Sequence, residues 1–251
     1  MYSNKNKKRT FLITGASSGI GQKIAIELSK SNINLIVNGK SKNKLKKTFS
    51  RLKGTRNFFF PADLNSANIF FELEKICKAK KIILDGVIHC AGIHNFNPLK
   101  LINYESFENV YKTNVYSFIS LTKFFSTTKY RNKNGGNIIC LSSVSSYEGN
   151  KSISLYSSSK ASLNNLVKCY AKELASKKIK VNSIVLGHIQ EGMGLRVRER
   201  LTEDQLNNLE SLHPLGFGEV DDVLNGIKFL TSPESKWITG SNIVIDGGYL
   251  A

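Results

Sequence analysis

Short apolar runs alternate along this chain with amphipathic stretches of helical period. Arg9 to Thr14 is the first apolar run, and Ile20 to Ser31 follows with Ile24, Ala25 and Leu28 on one helical face. Asn34-Leu35-Ile36-Val37-Asn38 is the second run; a basic helix is predicted around residues 41–53, then the strand Asn57 to Pro61. The alternation continues through a helix near 66–79, a strand from Leu84 to His89, helices near 104–113 and 114–129, and a strand from Asn137 to Leu141. A helix at about 156–177 and a strand from Val181 to Val185 come next, then a polar, charged segment at 190–213. A helix near 219–231 and a final strand, Asn242 to Asp246, close the pattern. Continuous apolar strands are buried on both faces, so this β-α-β order predicts a doubly wound parallel sheet between two helical layers. A chain of 251 residues suffices for one well-buried α/β domain and is short for two. Residues 1–8 are polar and expected to be disordered, which leaves 9–251 as a single domain.

Composition narrows the class. No apolar run approaches the roughly 18 residues that span a bilayer, and Phe11-Leu12-Ile13 is too short for the apolar region of a signal peptide, so a soluble chain is expected. Cys77, Cys90, Cys140 and Cys169 are widely separated, with no Cys-x-x-Cys pair. They suggest neither a metal site nor a disulfide framework and fit a reducing cytoplasm. Net charge is +17, and residues 1–60 hold 14 Lys/Arg against the single acid Glu27, so most of the excess is local. One reading is a field that draws in an anionic ligand such as a phosphorylated cofactor, an acidic carrier protein or nucleic acid. The other is a bias toward lysine and asparagine at solvated positions. No aromatic-interleaved stripe or nucleic-acid motif accompanies the charge, which argues against a nucleic-acid partner.

Chemistry is concentrated in two places. Thr14-Gly15-Ala16-Ser17-Ser18-Gly19-Ile20-Gly21 follows a strand and opens a helix inside a βαβ unit. In that context glycines let the backbone approach a pyrophosphate, whose charge the helix N-terminus receives. Downstream, Tyr156 and Lys160 stand at i and i+4 in Tyr156-Ser157-Ser158-Ser159-Lys160, on one helical face, with Ser143 thirteen residues upstream. A neighbouring ammonium favours the phenolate and is expected to lower the tyrosine pKa from about 10.

With these residues in view the chain resembles the short-chain dehydrogenase/reductase family over nearly its whole length. His89-Cys90-Ala91-Gly92, Asn114-Val115, Leu186-Gly187-His188-Ile189 and Ile245-Asp246-Gly247-Gly248-Tyr249 follow in family order. Among its members the 3-oxoacyl carrier-protein reductases of fatty acid biosynthesis are the most similar. The resemblance implies a Rossmann-type fold and an NAD(P)-dependent oxidoreductase acting on C=O or CH-OH groups. It implies a catalytic tetrad of Asn114, Ser143, Tyr156 and Lys160. Tyr156 would give a proton to the carbonyl oxygen, Ser143 would bond the developing alkoxide, Lys160 would hold the nicotinamide ribose, and Asn114 would anchor a relaying water. Cofactor contacts are implied at Gly15, Ser17, Ser18, Gly19, Ile20, Gly21, Ala91, Gly92 and Ile189, as well as Tyr156 and Lys160, with Asp63 and Leu64 beside the adenine.

No acid follows the second strand in Asn38-Gly39-Lys40-Ser41, and Lys40 offers a cation there, so NADPH is expected over NADH. The resemblance further implies a mobile substrate lid at about 190–215 and a homotetramer. Lys133, Lys172 and Lys177 lie near places where relatives present cations to acyl carrier protein. A 3-oxoacyl thioester is the expected substrate, with a keto-sugar, sugar nucleotide or other small carbonyl compound as the alternative; Arg196, Arg198 and Arg200 would suit phosphate. A non-catalytic cofactor- or nucleic-acid-binding protein is the remote alternative. Three departures from the family pattern stand out. His89-Cys90 replaces two asparagines that brace the central strand, Leu186 replaces a proline, and Glu191 places a carboxylate where the cofactor phosphates would repel it. His89 is read as structural, and no metal site is expected.

Overall fold

The computed structural model describes residues 8–54 and 56–251. The expectation of disorder at the N-terminus therefore lies, for residues 1–7, outside the described residues. Seven parallel strands are ordered β3-β2-β1-β4-β5-β6-β7: β1 (Arg9–Thr14), β2 (Ile33–Gly39), β3 (Phe58–Pro61), β4 (Gly86–His89), β5 (Gly136–Ser143), β6 (Ile179–Leu186) and β7 (Asn242–Ile245). The crossovers carry α1 (Gly19–Ser29), α2 (Lys42–Phe49), α3 (Ile69–Ala79), α4 (Tyr104–Tyr111), α5 (Ser117–Thr127) and α6 (Ser154–Leu174). After β6 come α7 (Met193–Arg198), α8 (Glu203–Ser211) and α9 (Val220–Thr231).

The period of two along each strand builds the three layers. Phe11, Ile13, Leu35, Val37, Ile139 and Leu141 face the side covered by α1 and α9, against Ile24, Leu28, Val223 and Ile227. Their strand neighbours Leu12, Ile36, Ile138 and Cys140 face the other side, against Leu73 of α3, Phe118 and Phe125 of α5, and Leu163 of α6. Each fully buried side chain of this size contributes about 1.5–3 kcal/mol of transfer free energy. The doubly wound parallel sheet expected from the run pattern is the architecture found.

Two local differences from the sequence reading matter for the site. Between α4 and α5 the chain makes a π-turn over Lys112–Tyr116, a widened turn that commonly marks functional positions. The segment 190–213 carries two helices. Thr202 Oγ1 accepts the Gln205 backbone N–H while Gln205 Oε1 accepts that of Thr202, a reciprocal cap that launches α8 from an otherwise charged stretch.

Candidate active site

The order of the sheet reverses between β1 and β4, and at the carboxyl ends of those strands lies a cavity of about 1010 Å³. That is the place where open parallel sheets receive ligands. Gly15 leaves β1 with φ +67°, and a Cβ there would sit 2.7 Å from Ala91 N. Gly21 would bring a Cβ to 2.6 Å from Gly15 O. These contacts press the turn flat against the sheet and demand glycine at both positions. Ser18 precedes α1 without capping it, and no acid occupies the first turn. The free N–H groups and the positive end of the helix dipole are therefore left for a ligand anion.

Farther along, Lys40 Nζ lies 3.0 Å from Asp63 Oδ2. The Asp63 carboxyl is held below its ordinary value, chiefly by the Asn65 N–H and further by Lys40, against the opposing effect of burial. The Lys40 side chain is 83% exposed, so its ammonium can turn from Asp63 toward an incoming phosphate. Backbone N–H donors at one point, and a carboxylate acceptor with an exposed ammonium at another, suit the phosphates and the adenosine end of a dinucleotide. Gly15, Ser17, Ser18, Gly19, Ile20, Gly21, Lys40, Asp63, Leu64, Ala91, Gly92, Tyr156, Lys160 and Ile189 all line this one cavity.

Ser143, the last residue of β5, and Tyr156 in α6 both line the cavity wall, near enough for the Ser143 hydroxyl to favour the phenolate. Burial pushes the Tyr156 pKa above its ordinary value, and the Ser143 hydrogen bond opposes this without reversing it. The lowering expected from Lys160 is not what the geometry produces. Lys160 Nζ stands 5.6 Å from the phenol ring centroid and donates to Leu141 O at 2.8 Å. Burial pulls its own pKa down to about 8, with the Cys140 and Cys90 thiols opposing.

Asn114 belongs to the π-turn but does not line the cavity. Its Nδ2 donates to Ile93 O (3.0 Å) and Ser159 Oγ (2.9 Å), and its Oδ1 accepts the Ile93 N–H (2.8 Å). The side chain thus ties the strap after β4 to the π-turn and α6. A Cβ on Gly92 would lie 3.4 Å from both Asn114 Oδ1 and Lys160 Nζ, so the glycine keeps the space that these two groups share open.

His89 resolves the first departure. It is 1% exposed, with Nδ1 2.9 Å from Thr14 Oγ1 and Nε2 3.3 Å from Ser117 Oγ. Ser117 donates its hydroxyl hydrogen to Thr113 O, so it accepts from His89, which assigns the hydrogen to Nε2. Nδ1 then accepts from Thr14, whose oxygen also accepts the Ala91 N–H. Burial, reinforced by Lys160, lowers the His89 pKa to about 3 and keeps the ring neutral. The imidazole does the bracing that asparagines do in the family pattern. Leu186 simply continues β6 into the core, and Glu191 turns away from the cavity onto Lys23 of α1, 2.6 Å distant.

The outer wall was less legible. His94 packs its ring against Tyr156 and Phe96, both at 4.5 Å between centroids, and lines the cavity. Its position two residues after Gly92, at the end of β4, was the signal available for it. Met193, Arg196, Leu201 and Gln205, with Leu209 and Leu212, enclose the same side, whereas Arg198 bonds outward to Gln190 Oε1 at 3.1 Å.

A family model described as enoyl-(acyl carrier protein) reductase matches residues 15–250, which is nearly the whole chain and includes Gly15, Ser143, Tyr156 and Lys160. The chain belongs to the short-chain dehydrogenase/reductase family. It is similar to the 3-oxoacyl-acyl-carrier-protein reductase of Buchnera aphidicola subsp. Schizaphis graminum, with 31% identity covering 97% of this chain and 98% of the relative. Among solved structures it is similar to a 7α-hydroxysteroid dehydrogenase complexed with NADH and 7-oxoglycochenodeoxycholic acid, at 26% identity and TM-score 0.88, with coverage of 99% and 98%. It shares its fold with an actinorhodin polyketide ketoreductase bound to NADPH, at 23% identity and TM-score 0.89, with coverage of 96% and 97%. The short-chain dehydrogenase/reductase described here is accordingly an NAD(P)-dependent oxidoreductase with a Rossmann-type fold. No helix among its described residues is long and apolar enough to cross a membrane.

Proposed function

We propose that this enzyme is an NADPH-dependent carbonyl reductase whose substrate is a 3-oxoacyl thioester on acyl carrier protein or CoA. The observation that carries the reading is a single cavity running from the glycine turn, past Lys160, to Tyr156 and Ser143. Bound at the turn, the cofactor supplies a hydride to the carbonyl carbon. The uncapped start of α1 holds the pyrophosphate, and Lys40, released from Asp63, faces the adenosine 2′-phosphate. Lys160 bonds the ribose, while Ser143 Oγ donates to the carbonyl oxygen and holds it beside the phenol. Charge grows on that oxygen only toward the transition state, where the two hydroxyls count most. Tyr156 Oη gives its proton there. Burial keeps the phenol protonated in the resting enzyme, which is the state a donor requires. Asn114 positions Ile93, and in this reading a relaying water would bond its Oδ1 beside Lys160.

Residues 190–215 act as the lid, sealing the substrate side. Tyr104, Phe107 and Tyr116 expose aromatic surface along α4 and the π-turn, which supports packing into a homotetramer. Lys133, Lys172 and Lys177 would speed docking of an acidic carrier protein. Four free cysteines suit a reducing cytoplasm. The keto-sugar and sugar-nucleotide readings use the same proton transfer and differ in what the lid contacts. The test is NADPH consumption with an acetoacetyl thioester, run beside Tyr156→Phe. Turnover by the parent and loss of about 10²–10⁴ in the variant are expected. Equal rates in the two would overturn the assignment of the proton donor.

A further inference from the structure

The substrate half of the cavity has one sign of charge. Among the lining residues the sole carboxylate is Asp63, which is bonded to Lys40 at the adenosine end. Around the reacting position the lining instead includes His94, Arg196 and Lys151. Arg196 lies within 4 Å of no carboxylate among the described residues, although Glu199 and Glu203 are close to it in sequence. Arg198 is occupied by Gln190, so of the lid arginines Arg196 is the one that reaches the cavity with its charge uncompensated.

His94 joins this cation to the chemistry. Its ring meets Phe96 edge-on and the Tyr156 ring at a tilt, each at 4.5 Å between centroids, so His94 lies directly beside the proton donor. Burial, with Arg196, Arg200 and Lys160 adding to it, pulls the His94 pKa down to about 4, so the ring is a neutral donor and acceptor at pH 7. A guanidinium and a neutral imidazole lining the same cavity, with Arg196 close enough to act on the His94 ring electrostatically and no lining carboxylate but Asp63, form a receptor for an oxyanion. Through the contact of His94 with the Tyr156 ring, such a receptor adjoins the reacting carbonyl.

We propose that the natural substrate bears a carboxylate or phosphate group a few bonds from its reacting carbonyl, and that Arg196 and His94 receive this group. The proposal rests on the Tyr156 reading above and narrows its substrate class from any 3-oxoacyl compound to one with a second anionic group near the ketone. Arg196 acts as the anion anchor, and His94 acts as a hydrogen-bonding positioning residue against the phenol ring.

Calorimetric titration with oxidised nicotinamide cofactor present tests this without requiring turnover. The probes are matched pairs: 4-oxopentanoate against its methyl ester, and hydroxyacetone phosphate against hydroxyacetone. The parent enzyme is expected to bind at least one anion about tenfold more tightly than its neutral partner. Arg196→Gln should bring that ratio close to one, and Arg196→Lys should keep most of it. His94→Phe preserves the ring packing and should still lower the ratio several-fold. Arg198→Gln should leave it unchanged. Equal affinities within both pairs in the parent, or a ratio that survives Arg196→Gln, overturns the proposal. It is also overturned if the Arg196-dependent preference appears only for acetoacetyl-CoA over the acetoacetyl thioester of N-acetylcysteamine, since the anion would then belong to the carrier arm. Loss of Tyr156-dependent turnover with the anion preference intact would instead sink the reductase assignment alone.

Discussion

Lys160→Met should yield a more stable and inactive enzyme. Lys160 is 6% exposed, and burial pulls its pKa from 10.5 to about 8, so the folded state holds the ammonium less readily than the unfolded chain does. At about 1.4 kcal/mol for each tenfold change, that gap corresponds to a penalty of about 3 kcal/mol for keeping the charged lysine in the fold at pH 7. Methionine matches the unbranched stem and carries no charge. Its cost is the lost charged donor to Leu141 O, about 1.5–2 kcal/mol. The net gain of about 1–1.5 kcal/mol should raise Tm by roughly 2–6 °C for a chain of this size.

The pH dependence gives the sharper check. Because the folded pKa is the lower one, the parent loses a proton on folding between pH 8 and 10.5, and its stability relative to the variant rises with pH across that window. Below pH 8 the penalty is fully present. The Cys90 and Cys140 thiols titrate near 12 and stay neutral throughout. Calorimetric or circular-dichroism melts of the cofactor-free proteins should therefore show the Tm gap largest at pH 7 and closing by about pH 10.5. A variant no more stable than the parent at pH 7, or a gap that does not change with pH, would refute the reasoning. The lost activity would mark Lys160 as a residue kept for function against stability.

Three further outcomes follow from the geometry. His89→Leu leaves the Thr14 hydroxyl hydrogen buried without an acceptor and should cost about 1–3 kcal/mol in urea unfolding; a cost near zero would show that the Thr14-His89-Ser117 chain is not holding β1, β4 and α5 together. Lys40→Glu puts a second carboxylate beside Asp63, and the ratio of kcat/KM for NADPH over NADH should fall about tenfold. An unchanged ratio would mean that Lys40 does not face the 2′-phosphate. Gly15→Ala forces a Cβ to within 2.7 Å of Ala91 N at φ +67° and should weaken cofactor binding on the order of a hundredfold, measured by equilibrium titration; an undiminished affinity would remove the steric argument for that turn.

The run pattern determined the fold class because burying both faces of a parallel sheet leaves no polar period along its strands, and Phe11-Leu12-Ile13, Leu35-Ile36-Val37 and Ile184-Val185-Leu186 carry that signature themselves. The placing of Gly15, Ser143, Tyr156 and Lys160 around one cavity was legible for a related reason. The glycine turn and the Tyr-Lys spacing are local geometry written directly into the order of residues. What tertiary structure alone decided were the long-range partners of individual atoms. Lys160 donates to Leu141 nineteen positions away rather than easing the phenol, because burial governs both pKa values. Glu191 finds Lys23, Lys40 finds Asp63, and Asn114 binds Ile93, each through contacts that no period or motif encodes. His94 reaches the phenol ring because the strap after β4 is tied through Asn114 to α6, so its place in the site is a property of the packed sheet and helices.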